Sequence, residues 1–152
     1  MSFTILFICN EYPPYHYGGI GVFVRNLATE MAKFGIQCIV VGKYPIEQIK
    51  TEVIEGVEVI RLPMCNTNYL GKNRWSNLIK LFLDRYNLSS FIRKFEKENQ
   101  VHIIESFEWV GPLAFRPKTK LVVRLHGSNT AYAEFENKKS NAILKFLETK
   151  NI

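Results

Sequence analysis

Cysteine is scarce in this 152-residue chain: Cys9, Cys38 and Cys65 stand far apart and show no metal-ligand spacing. That excludes a disulfide framework and the zinc motifs built on paired thiols. Cys9 and Cys38 fall in apolar, strand-like runs where cysteine behaves as a small hydrophobe, and all three read as reduced, cytosolic thiols. Long apolar runs are lacking too. Ser2–Ile8 has no basic n-region and is too short for a secretory signal, and no stretch approaches a membrane span. Charge of one sign is nowhere concentrated: the net +6 is spread over the second half and forms no block like a nucleic-acid arm. RNA-recognition aromatics and zinc-finger spacing are missing as well, so nucleic acid is not an expected partner. No Ser-His-Asp arrangement or metal cluster is legible, which leaves hydrolase and metalloenzyme readings without support. Internal repeats, low-complexity tracts and interdomain linkers are absent.

What is present is the composition of one globular domain over 1–152, with 47% hydrophobic, 22% charged and an aromatic-rich 13%. Phe3–Cys9 is an apolar run that suits a strand buried on both faces. Phe23, Val24, Leu27, Met31 and Phe34 recur at helical spacing over Ile20–Phe34, and Gly35 follows where a C-cap glycine belongs. Ile36–Gly42 completes a βαβ unit. Val53–Pro63 carries turn chemistry at Glu55-Gly56 and reads as a hairpin. Cys65–Lys72 is a polar loop. Arg74–Glu98 is helical in pattern, with Trp75, Leu78, Ile79, Phe82, Leu83 and Tyr86 expected to face inward and a kink or new cap expected at Asn87–Ser90. Val101–Ile104 and Leu121–Leu125 read as strands, Trp109–Phe115 as a short helix and Ala142–Leu147 as a helix. The alternation predicts an α/β fold: a Rossmann-like, doubly wound, mostly parallel sheet flanked by helices.

Ligands of such sheets bind beyond the carboxyl ends of the strands. Three segments fall there: Asn10–Gly21, Glu105–Trp109 and His126–Asn129. Gly18, Gly19 and Gly21 read G-G-x-G, not the dinucleotide G-x-G-x-x-G. They open a helix whose unpaired amides and partial positive charge suit a phosphate. His126 can donate to a hydroxyl or phosphate, or serve as a loop residue satisfied by backbone. Glu105 and Glu108 can orient sugar hydroxyls or act as a base, or cap the following turn. Tyr12, Tyr15 and Tyr17 can stack on a sugar or lipid acceptor, or pack the loop down. His16 shares that loop, and Ser128 follows His126; both are candidate substrate contacts. Arg74, Lys80 and Arg85 accompany the apolar face of the long helix, so a membrane-surface contact is open beside a helix packed on the sheet.

Taken together, Asn10-Glu11-Tyr12-Pro13-Pro14 through Gly18-Gly19-Ile20-Gly21, the Val24–Ala32 helix, Gly35–Gly42, Ile103–Trp109 and Val122–Ser128 resemble the N-terminal lobe of family 4 retaining glycosyltransferases. The resemblance runs the length of the chain in the family's order. It implies the GT-B fold, two Rossmann-like lobes facing across a cleft, of which this chain supplies the acceptor-side one. It implies that Gly18 and Gly19 approach the diphosphate of a nucleotide-sugar donor, that His126 contacts the donor sugar or the leaving phosphate, and that Glu108 lies at the pocket of a glycan or lipid-linked acceptor. It implies no bound metal or organic cofactor. The family's C-terminal lobe, with its glutamate pair, has no counterpart here, so the chain alone is expected to be inactive. Its expected setting is the cytoplasm, with peripheral attachment to the inner face of the membrane left open. A non-catalytic binding module for a glycan, a nucleotide or a partner subunit is the alternative. A dehydrogenase or epimerase is disfavoured by the missing glycine fingerprint and the missing acid after the second strand.

Overall fold

The computed structural model describes residues 3–15, 18–66, 71, 73–109, 111–127, 133, 135–136 and 142–149. Its elements are β1 (Thr4–Ile8), α1 (Gly19–Lys33), β2 (Gln37–Tyr44), β3 (Lys50–Ile54), β4 (Val57–Pro63), α2 (Arg74–Glu98), β5 (Ile103–Phe107), β6 (Lys120–Arg124) and α3 (Ala142–Thr149). The six strands form one sheet in the order β3-β4-β2-β1-β5-β6. Every pairing is parallel except that of the edge strand β3 with β4. The expected α/β, mostly parallel sheet flanked by helices is therefore what the chain adopts.

The period of two along each strand builds two cores. Ile5, Phe7, Cys38, Val40, Val57 and Val59 point to one face, where Val24 and Ala28 of α1 cover them. Leu6, Ile8, Ile39, Val41, Ile60, Leu62 and Ile104 point to the other, beneath Leu88 and Ile92 of α2. Local chemistry closes the end of α1 and opens α2. Gly35 (φ 81°) lets the amides of residues 35 and 36 reach Ala32 and Met31 carbonyls at 3.0 and 3.2 Å, closing α1 in a Schellman motif. Asn73 and Ser76 form a reciprocal capping box at the start of α2. The two-residue hairpin loop has positive φ at both Glu55 and Gly56, as a type I′ turn requires. Arg25 of α1 pins it with a forked ion pair to the Glu55 carboxylate at 2.5 and 3.0 Å.

Three expectations are corrected. Residues 87–90 neither kink nor cap: α2 is continuous, with Leu88 and Ser89 buried mid-helix. Trp109–Phe115 is irregular among its described residues, because its main chain is held from outside. Arg85 donates to the Gly111 and Leu113 carbonyls, and Ser89 Oγ accepts from the Ala114 amide at 2.8 Å. The apolar residues at the start of α2 do not face inward. Trp75, Ile79, Phe82, Leu83 and Tyr86 are exposed, while Arg85, Leu88, Ser89 and Ile92 line the buried side. A 25-residue helix is about 37 Å long at 1.5 Å per residue. Strands of five to eight residues reach only about 17–26 Å. The first half of α2 therefore overhangs the sheet.

Candidate functional site

The chain runs from β1 through β2 to β4 on one side of the sheet, then returns by way of α2 to place β5 on the other side of β1. Strand order thus reverses between β1 and β5, and the crevice above their carboxyl ends is the expected ligand position in such a sheet. A pocket of about 410 Å³ lies there. Glu11, Gly18, Gly19 and Ile20 form one wall; Trp109, His126 and Gly127 form the other. The three segments singled out at the strand ends thus share one cavity.

The glycine wall shows a division of labour. A Cβ on Gly18 would overlap the Glu11 carboxylate at 1.9 Å, and one on Gly21 would overlap the Glu11 carbonyl oxygen at 2.1 Å. Those two glycines let α1 start tight against the strand end. A Cβ on Gly19 meets nothing within 4 Å, so its main chain borders open pocket. Gly18 is the N-cap, no side chain caps it, and the first turn of α1 holds no acid. The negative charge beside this positive end of the helix dipole is the Glu11 carboxylate, which lies against Gly18. Glu11 Oε2 is buried and has no hydrogen-bond partner among the described residues.

Tyr15 does not line this pocket. It packs against the core, its ring 5.7 Å from that of Tyr44 and on one side of the Arg61 guanidinium. Arg61 is fully buried in β4, and sequence reasoning missed it. It donates to the carbonyls of Tyr12 (2.9 Å) and Pro13, pairs with Glu52 at 2.7 Å, and stacks on Tyr15 and Tyr44. Tyr44 adds a second tie, donating to Cys9 O and accepting from the Tyr12 amide. Burial pushes the Tyr44 hydroxyl above its usual range and the Cys9 thiol up to about 12, so both stay neutral here. The only hint in the sequence was a lone cation inside the apolar run Val57–Leu62.

The opposite wall rests on Glu108, which is buried and does not line the pocket. Its Oε1 accepts from the amides of His126 at 2.6 Å and Gly127 at 2.5 Å. This clasp fixes His126, half-buried, with its ring edge-on to Phe23 at 5.2 Å between centroids. Glu105 is bound at both oxygens by Arg124 (2.7 and 3.1 Å), whose guanidinium also lies over Phe23. The Glu105 carboxylate in turn holds Arg124 above its usual value. Trp109, the last residue of the strand-end segment Glu105–Trp109, lines the pocket, although it was not singled out as a ligand contact. His16 and Ser128 lie outside the described residues. His102 belongs to the opposite end of the sheet, where Nδ1 accepts from the Thr4 amide. Among the described residues no group of three His, Cys, Asp or Glu side chains is placed to hold a metal.

No curated protein matches the chain significantly. The family model of the starch synthase catalytic domain matches residues 4–107, from β1 through β5, including the glycine wall and stopping one residue before Glu108. With more than half its length matched, the chain belongs to the starch synthase catalytic domain family, a family of GT-B glycosyltransferases.

Proposed function

We propose that this chain is the acceptor-side lobe of a retaining, family 4-like glycosyltransferase. It moves a hexosyl group from a nucleotide-sugar donor to a glycan or lipid-linked acceptor. The observation that carries the reading is the pocket at the switch point, where Gly19, in the first turn of α1, borders open space opposite His126. In this reading the α1 amides at Gly18 and Gly19 meet the donor diphosphate, and His126 contacts the donor sugar or the leaving phosphate. The helix terminus and basic side chains neutralise the leaving group, and no resident metal or cofactor is assigned a part. Trp109 offers a flat apolar surface to a sugar ring. His16 and Ser128 are assigned to the acceptor side. Tyr15 and Glu108 serve the site indirectly, by holding its two walls. Three free thiols are in keeping with a cytoplasmic setting.

A GT-B site lies between two lobes, so turnover requires a second, nucleotide-binding lobe. In the two-lobe enzyme, His126→Ala is expected to lower kcat/KM at least tenfold, about 1.4 kcal/mol. Gly19→Val places a side chain in the open space beside the diphosphate and is expected to weaken donor binding without disturbing the fold. Transfer indifferent to both substitutions overturns the site. Ligand binding by this chain with no transfer in the two-lobe protein would favour the non-catalytic module.

A further inference from the structure

Glu11 stands where a phosphate is expected and carries the same sign of charge. It follows β1, lines the switch-point pocket and packs its carboxylate on Gly18, the N-cap of α1. A Cβ on Gly18 would lie 1.9 Å from Oε2, 2.5 Å from Cδ and 2.8 Å from Oε1, so the whole carboxylate fills space that only a glycine leaves free. An acid that merely steadied the helix would accept its first amides. Oε2, the oxygen closest to the Gly18 Cβ position, is instead buried with no partner among the described residues. The chain thus holds an underused carboxylate at the mouth of its own anion site.

The consequence lies in the charge balance of the transfer proposed above, on which this inference rests. In the donor, the terminal phosphate is esterified to the sugar. Transfer breaks the bond between the anomeric carbon and that phosphate oxygen and joins the same carbon to the acceptor oxygen. The electron pair of the broken bond stays on the phosphate, and the acceptor's proton passes to that phosphate or to water. A terminal phosphate has its second pKa near 6, so at neutral pH it bears about −1.5 to −2, where its ester bore about −1. The added charge appears in the diphosphate assigned to Gly18 and Gly19, beside Glu11. Like charges a few ångströms apart in a partly buried site repel, and each extra charge on the ligand adds to the repulsion.

We propose that Glu11 sets the pocket's preference for an esterified diphosphate over one with a free end, and so expels the nucleoside diphosphate once the sugar has left. Glu11 acts here as a specificity-determining residue, and Gly18 makes room for it.

The test needs neither the nucleotude nor the sugar to be known. Methyl diphosphate stands in for the product and P1,P2-dimethyl diphosphate for the donor. Each is titrated at pH 7.5 into the isotopically labelled 152-residue chain, and the Gly18 and Gly19 amide resonances report binding. Glu11→Gln, nearly isosteric, is expected to tighten methyl diphosphate at least about tenfold, or 1.4 kcal/mol, and the dimethyl ester no more than about threefold. Glu11→Asp, which keeps the charge but draws it back from Gly18, is expected to gain less, and it serves as the second variant should Glu11→Gln misfold. Glu30→Gln, toward the other end of α1, is expected to leave both affinities unchanged. Equal changes for the two ligands in Glu11→Gln overturn the inference while the phosphate site stands. An equal selective gain in Glu30→Gln also overturns it, because net charge alone would then be responsible. If neither ligand moves the two amides in any variant, the inference fails together with the placement of the diphosphate at α1.

Discussion

Replacing Glu108 by alanine tests whether one carboxylate holds the His126 wall. The substitution strips two main-chain amides, at His126 and Gly127, of a shared acceptor at 2.6 and 2.5 Å. A buried donor left without its partner costs about 1–3 kcal/mol. Both amides are only partly buried, so water recovers part of each, and the low end of the sum applies: about 2–3 kcal/mol. For a domain of this size each kcal/mol lowers Tm by about 2–4 °C, so a fall of about 4–12 °C is expected. Glu108→Gln keeps an acceptor oxygen and loses only the charge, which reduces the two bonds to ordinary strength and costs about 1 kcal/mol. Calorimetry gives the global effect. Amide hydrogen exchange gives the local one, and the amides of residues 126 and 127 should exchange faster in the alanine variant than amides of β1. Unchanged Tm together with unchanged exchange at those two amides would refute the clasp.

Arg61→Met should destabilise the fold by about 2–4 kcal/mol, because two carbonyls of the 12–13 loop lose their donor, partly offset by relief from burying a cation. Arg61→Lys should restore little of this, since an ammonium cannot reproduce the fork or the stacking between Tyr15 and Tyr44; urea midpoints equal to the parent's would refute both. The Glu52 carboxyl is held below its ordinary value of 4.5, first by its hydrogen bond to Lys50 and then by that to Arg61. Its contribution to stability is therefore present above the unfolded-chain value and is lost as pH falls through the lowered folded one. Urea midpoints measured into the acid range should fall less steeply in Glu52→Gln, and parallel curves would refute the assignment.

Much of the sheet was legible because local signals agreed with the fold. The apolar runs of β1 and β2, the C-cap Gly35 and the Glu55-Gly56 turn each have one good conformational solution. The start of α2 was misread for a reason periodicity cannot supply. Spacing reveals that Trp75, Ile79, Phe82 and Tyr86 share a face, but not whether the sheet extends far enough to cover it. The segment after β5 was misread because its backbone partners, Arg85 and Ser89, lie more than twenty residues away on α2. At the site, the three strand-end segments were identifiable from topology alone. The separate tasks of Gly18 and Gly19, the buried Arg61 and the Glu108 clasp were not, since each depends on a neighbour distant in sequence.

The two walls of the pocket are anchored independently: the glycine loop from behind by Arg61 and Tyr44, the His126 turn by Glu108. Each wall is therefore tied to the sheet in its own right, the first through buried hydrogen bonds and the second through part-buried ones. Any change in the pocket's width is concentrated at the seam between them, where Phe23 of α1 meets the His126 ring and the Arg124 guanidinium. That seam is a contact of ring edge and ring face, with the guanidinium over the ring. A ligand wedged between Gly19 and His126 would be felt first as a tilt of Phe23 and, through it, along the outer turn of α1.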